Sequence, residues 1–215
     1  MEESGLMAQS APLEVPTRLE APIVAALGQR SVVLVGMMGA GKSSIGRRLA
    51  LRLGMPFVDA DTEIEKAASM TIPDIFAVRG EGEFRAGEAR VIHRLLESGP
   101  QVLATGGGAF MNADTRVEIG AKGISVWLKA ELDVLIKRIR RRHDRPLLTT
   151  TDDPAATLRD LIAVRYPTYA EAELTVQSRD VPHEKIVDEI IEALVVHLDI
   201  AADPAPASPQ QESAP

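Results

Sequence analysis

The chain predicts an α/β protein in which short strands alternate with helices, pair in parallel and are covered by helices on both faces. Three observations carry this. A continuous apolar run, Val32-Val33-Leu34-Val35, has the pattern of a strand buried on both sides. A glycine-rich turn, Gly36-Met37-Met38-Gly39-Ala40-Gly41-Lys42-Ser43, follows it at once. After the turn, Ile45, Leu49 and Leu53 recur four apart along one side of a helix.

The turn fits the spacing G-x-x-x-x-G-K-[ST]. Backbone N–H groups in such a turn curl around a polyphosphate, and the helix N-terminus adds its positive dipole end. This assigns Gly39, Ala40, Gly41, Lys42, Ser43 and Ser44 to the phosphates of a nucleoside triphosphate, the loop alone leaving GTPases, motor ATPases and kinases open. Lys42 should reach the β- and γ-phosphates, and the Ser43 hydroxyl should ligate Mg²⁺. A glycine-rich turn that binds nothing is the plain alternative; correct flanks on both sides weigh against it.

Further candidate strands are Phe57–Asp59, Val102–Thr105, Ile124–Leu128 and Leu174–Val176. Candidate helices are Ser43–Leu53, Glu63–Ala68, Ile72–Arg79, Glu83–Glu97, Leu132–Arg142, Pro154–Ala170 and His183–Leu198. Ligands of such a sheet bind outside the carboxyl ends of its strands, where the motifs described next also fall. The 215 residues suffice for one domain with a sizeable core. Residues 1–29 read as a flexible extension with a short helix around Ile23 to Leu27, residues 30–200 as the domain, and 201–215 as a disordered tail.

Composition excludes several classes. There is no cysteine, so disulfides and thiolate metal sites are ruled out, and the four histidines show no ligand spacing. No apolar run approaches the ~20 residues that span a bilayer, and Met1-Glu2-Glu3 does not open a secretory leader. A net charge of −7 argues against a nucleic-acid partner. A cytoplasmic monomer without nucleic-acid or membrane partners is the expectation.

The second strand ends in Asp59-Ala60-Asp61. Two carboxylates at this spacing point the same way from an extended backbone. One can hold a Mg²⁺-bound water, and the other can orient an acceptor hydroxyl and take its proton. The structural alternative is a capping box, with Thr62 as N-cap and Glu65 reaching back; Thr62 would then leave Asp59 and Asp61 to other work.

Gly80-Glu81-Gly82-Glu83-Phe84-Arg85 opens the next long helix. An arginine near a helix start opposes the dipole, which points to an anionic partner such as a substrate carboxylate. Glu88, three residues on, could steady it, although a solvated Arg–Glu pair fits the spacing equally well. Gly106-Gly107-Gly108 ends the third strand and permits a tight turn with close backbone approach; a plain loop explains it as well. The basic run 137–142 leads to Arg145-Pro146. It reads as a solvated helix face, a nucleic-acid stripe or a flap closing over ATP, with Arg145 the best placed for the last. A carboxylate base suits a hydroxyl and repels a phosphate, and a nearby arginine suits an anion. The acceptor should therefore be a small hydroxylated carboxylic acid.

With these residues in view, the chain resembles the shikimate kinases over about residues 30 to 198. The phosphate loop, Asp59-Ala60-Asp61 with Ile64-Glu65, Ile75-Phe76, Gly80–Arg85, Gly106–Gly108, Arg145-Pro146-Leu147-Leu148 and Arg165-x-x-x-Tyr169 follow the family order. The resemblance implies a three-layer α/β/α P-loop kinase fold with a central five-stranded parallel sheet. It also implies a substrate-binding helical segment at about 60–97 and a lid at about 140–155. It implies Mg²⁺-dependent phosphoryl transfer from ATP to the 3-hydroxyl of shikimate, within chorismate and aromatic amino-acid biosynthesis. By the same resemblance Asp61 is the base, and Asp59 supports the Mg²⁺ shell. Arg85 and Arg165 clamp the carboxylate, the Gly107 turn meets the ring hydroxyls, and Phe76 and Phe84 wall the pocket. Arg145 belongs to the lid, and Arg138 packs on adenine. A related small-molecule kinase, such as a gluconate kinase, is the alternative, against which Asp59/Asp61 and Phe84-Arg85 speak.

Overall fold

Strand β1 (Ser31–Val35) is buried at all five positions, as its unbroken apolar run requires. A computed structural model of the chain describes residues 19–140 and 153–200. In it β1 is the middle of a five-stranded parallel sheet ordered β2-β3-β1-β4-β5, formed with β2 (Phe57–Asp59), β3 (Val102–Ala104), β4 (Gly123–Lys129) and β5 (Leu174–Gln177). Val33 pairs with Leu103 on one side and with Ser125 on the other. Because β1 lies between β3 and β4, the chain reverses direction across the sheet there, and the loops after β1, β2 and β3 open at one edge.

Helix α2 (Lys42–Leu53) starts from Gly41, whose φ of 97° lets the chain turn into the helix. It buries Ile45, Leu49 and Leu53 on the sheet, as the four-residue spacing predicts. Helix α3 (Ala60–Ala68) follows β2 directly. The two helices expected at 72–79 and 83–97 are one, α4 (Ile72–Glu97), broken at Gly80 by non-helical torsions of φ 80° and ψ 168°. The glycine that separates them in sequence is therefore the kink. The segment expected to bind substrate keeps its own small core of Ile64, Ile75 and Phe84, apart from the main one.

A short 3₁₀ turn (Ala109–Met111) and α5 (Ala113–Lys122) lead into β4. Helix α5 was not expected: it buries only Thr115 and Ile119, and Gly120 interrupts its pattern. Its start was nonetheless marked, since the Asn112 side chain accepts from Thr115 N at 3.0 Å. The remaining helices are α6 (Leu132–Arg140), α7 (Pro154–Tyr169) and α8 (His183–His197).

The expected boundary at residue 30 needs correction. Helix α1 (Glu20–Leu27) lies before it and sends Ile23 and Leu27 into the main core. Glu20 is buried and accepts from Arg52 Nη2 at 2.7 Å, while Arg52 Nη1 reaches Asp188 at 3.0 Å. Only one apolar turn in α1 faces the core, too short a signal for periodicity to register. The earlier part of the expected extension, most of the expected lid with Arg145, and the expected tail lie outside the described residues. Among the described residues, no helix is long and apolar enough to cross a membrane.

Candidate active site

The phosphate loop leaves β1 through Gly36, Gly39 and Gly41, all at positive φ, so its amides can turn toward one centre. Lys42 is 9 % exposed. Its ammonium donates to the carbonyls of Gly36 at 2.7 Å and Met37 at 3.0 Å. The lysine is thus folded over its own loop. Ser44, next on α2, is half-buried, and its carbonyl accepts from Arg48 at 3.0 Å.

Ser43 Oγ donates to Asp59 Oδ2 at 2.7 Å. The other oxygen of Asp59 accepts from Asp61 N at 3.1 Å and caps α3. This overturns the capping box. Thr62 is not the cap, Glu65 accepts instead from Ile72 N at 3.0 Å, and Asp61 sits in the first turn of α3 rather than on the strand. The chain bends into α3 one residue after β2, so Asp59 is used both as a cap and as a partner of Ser43. A hydroxyl beside a carboxylate is a hard-oxygen pair. Among the described residues, no group of three or more His, Cys, Asp or Glu could hold a metal by itself. That donor set fits Mg²⁺, which draws its remaining ligands from water and phosphate.

The turn after β3 works by size rather than by backbone freedom, because none of its three glycines has positive φ. A Cβ at Gly106 would stand 2.6 Å from Glu88 Oε1 and 2.8 Å from Asp61 Oδ1. One at Gly107 would stand 3.3 Å from Met38 N of the phosphate loop and 3.5 Å from Arg165 Nη1. Gly108 faces the guanidinium of Arg85. The turn therefore brings side chains of α3, of α4 beyond its Gly80 break and of α7 up to the backbone of the phosphate loop.

Arg85 Nη1 donates to Glu88 Oε2 at 2.7 Å, and its Nε and Nη2 reach Glu81 Oε1 at 3.3 and 3.2 Å. Its guanidinium lies 5.0 Å from the Phe84 ring and 5.9 Å from that of Phe76, and the two rings are 4.4 Å apart. The break at Gly80 keeps Arg85 near a helix start, and Glu81 supplies part of the anionic partnership expected there. Glu81 was missed, although its i,i+4 spacing was visible. Glu88 is 3 % exposed, and its Oε1 is buried without a hydrogen-bond partner. Burial raises its pKa, with Asp61 adding to the rise and the Arg85 cation opposing it.

On α7, Arg165 Nη1 donates to Gly107 O at 2.9 Å. The Tyr169 hydroxyl donates to the same carbonyl. Tyr169 is fully buried, and burial pushes its phenol up to about 12. Arg138 lies at the opposite side of the phosphate loop, donating to Ala40 O at 3.1 Å, Gly39 O at 3.3 Å and Ser178 Oγ at 2.8 Å. Ser178 in turn donates to Ala40 O at 2.7 Å. Burial lowers the Arg138 pKa, with Asp180 opposing. Ser178 had no signal in the sequence; its partners are far away along the chain.

The contacts above join Asp59 and Arg138 to the phosphate loop, and Asp61, Arg85, Glu88 and Arg165 to the turn after β3. A lysine-bearing phosphate loop beside an acid and an arginine pocket marks a P-loop kinase that phosphorylates a small molecule.

Comparison with known proteins narrows the class. The family profile described as shikimate kinase matches residues 38–195. A shikimate kinase of Rhodopseudomonas palustris is 66% identical over 187 residues, covering 87% of this chain and 91% of the relative. One from Bradyrhizobium diazoefficiens is 63% identical over 188 residues, covering 87% and 90%. The solved structure of shikimate kinase from Acinetobacter baumannii in complex with shikimate superposes with a TM-score of 0.77 at 37% identity, covering 84% of this chain and all of that one (100%). A gluconokinase from Sinorhizobium meliloti reaches a TM-score of 0.53 at 20% identity, which is a likeness of fold alone. The chain belongs to the shikimate kinase family.

Proposed function

We propose that this protein transfers the γ-phosphoryl group of ATP to the 3-hydroxyl of shikimate, giving ADP and 3-phosphoshikimate on the route to chorismate and the aromatic amino acids. The observation that carries this reading is the glycine turn. Its Gly106 meets the Asp61 and Glu88 carboxylates, its Gly107 meets Arg165 and its Gly108 meets Arg85. A hydroxyl and a carboxylate on one small ring suit that mixed set of an acid and two guanidinium groups.

In this reading the amides of Gly39 to Ser44 hold the phosphates. Lys42 exchanges its loop carbonyls for the β- and γ-phosphate oxygens and stabilises charge as the terminal phosphoryl moves. Ser43 and Asp59 would hold Mg²⁺, which when bound would neutralise phosphate charge. Asp61 orients the 3-hydroxyl and takes its proton while the new O–P bond forms and the bond to the bridging oxygen of ADP breaks. Arg85 and Arg165 grip the carboxylate, Glu88 holds Arg85, and Phe76 with Phe84 excludes water. Arg138 and Ser178 border the nucleotide, and the resemblance assigns Arg145 to the segment covering ATP. In this reading the protein acts as a cytoplasmic monomer on two small molecules.

The test is ADP release with ATP, Mg²⁺ and a panel of hydroxy acids including shikimate and gluconate. Turnover with shikimate at least ten times that with gluconate, by about the discrimination one well-fitted group provides, is expected. Equal turnover of both, or none with shikimate, overturns the reading.

A further inference from the structure

Gly108 has torsions that any residue adopts, φ −108° and ψ −13°. Its missing side chain therefore answers to something other than turn geometry. A Cβ built there would stand 2.4 Å from Arg85 Nη1, 2.6 Å from Cζ and 2.7 Å from Nη2, all far inside van der Waals contact. The guanidinium occupies the place of the side chain. Its other neighbours are the carboxylates of Glu81 and Glu88 and the rings of Phe84 and Phe76.

We propose that Gly108 is a positioning residue: by carrying no side chain it seats the Arg85 guanidinium against the turn, and so fixes where the anionic end of the acceptor is held relative to Asp61. This rests on the reading of Arg85 as a carboxylate clamp. The other two glycines serve different neighbours. Gly106 makes room for two carboxylates, and Gly107 packs against the backbone of Met38. Only at Gly108 are all the nearest atoms the far end of one flexible side chain. A methyl group there would displace the guanidinium and leave the backbone undisturbed, so the damage should fall on acceptor binding and spare the fold.

The experiment is steady-state kinetics of Gly108→Ala with ATP and shikimate, beside the unaltered protein. The shikimate KM should rise by about 10- to 100-fold, the scale of an ångström-sized misplacement. The ATP KM should stay within about twofold, and the thermal midpoint should hold. Adding Gly108→Ala to Arg85→Ala should then change the shikimate KM by less than about twofold, because the displaced group is gone. Equal increases in both KM values, or a full effect surviving in the Arg85→Ala background, would overturn the proposal. If Gly108→Ala alone does not fold, the double variant should fold, and failure of both also overturns it. Absence of shikimate turnover by the unaltered protein would count against the proposed function; normal turnover with an unmoved Gly108→Ala would count against this inference alone.

Discussion

Ser43 Oγ donates to Asp59 Oδ2 at 2.7 Å, which ties the first turn of α2 to the end of β2. One carboxylate thereby serves a helix cap and the edge of the nucleotide loop together. Asp59→Ala should lower stability by about 1 kcal/mol through loss of the cap. It should also raise the Mg²⁺ concentration needed for half-maximal rate. Urea midpoints and a Mg²⁺ titration of turnover check both; an unchanged Mg²⁺ dependence would remove Asp59 from the cation site.

Asp61 and Glu88 converge on Gly106, yet only Asp61 is assigned the hydroxyl proton. Asp61→Asn keeps the shape and removes the base, so turnover should fall roughly 10²–10⁴-fold with the fold intact. Near-normal turnover in the coupled ADP assay would refute the assignment.

Arg85 is tied to the acceptor side of the turn, and Lys42 to the nucleotide side. Arg85→Ala should therefore raise the shikimate KM far more than the ATP KM. Parallel increases in the two constants would take the carboxylate clamp out of the account.

The chain has two tyrosines, Tyr166 and Tyr169, and burial raises both phenols, Tyr169 to about 12. Below pH 10 both folded and unfolded phenols keep their protons, so the full stability is present. Above it the unfolded Tyr169 ionises first, and stability drains as pH rises toward 12. The loss from Tyr169 should be roughly 2–3 kcal/mol, two pKa units at 1.36 each. Urea midpoints followed through this window should fall, and Tyr169→Phe should flatten the slope. An absorbance titration in which both phenols ionise at their ordinary value would contradict this.

What the sequence made legible was local. The five strands, the phosphate loop and the long helices announce themselves through apolar runs, four-residue spacing and glycines at sharp turns. Asp61, Arg85 and Glu88 were found as residue types near a strand end and a helix start, and Arg165 through the family resemblance alone. Their convergence on three glycines was not legible, because it depends on α3, α4 and α7 meeting across the β3 turn. For the same reason the turn looked like a matter of backbone freedom when its small size is what counts. The cap was misplaced because the helix begins at Ala60, three residues earlier than a Thr62 cap implies, so Asp59 fills that role. Ser178 and Glu20 find their partners only in the assembled fold, where 138 and 32 residues of chain separate them from Ala40 and Arg52.

The pairing of Glu20 with Arg52 bears on how the protein should be handled. Trimming the chain at residue 30 would look harmless from composition, yet it would bare the apolar surface where Ile23 and Leu27 rest and take from Arg52 its buried acid, leaving it Asp188. A shortened protein of that kind would be prone to clump, and weakened nucleotide affinity in it would report a loosened scaffold rather than a missing ligand contact.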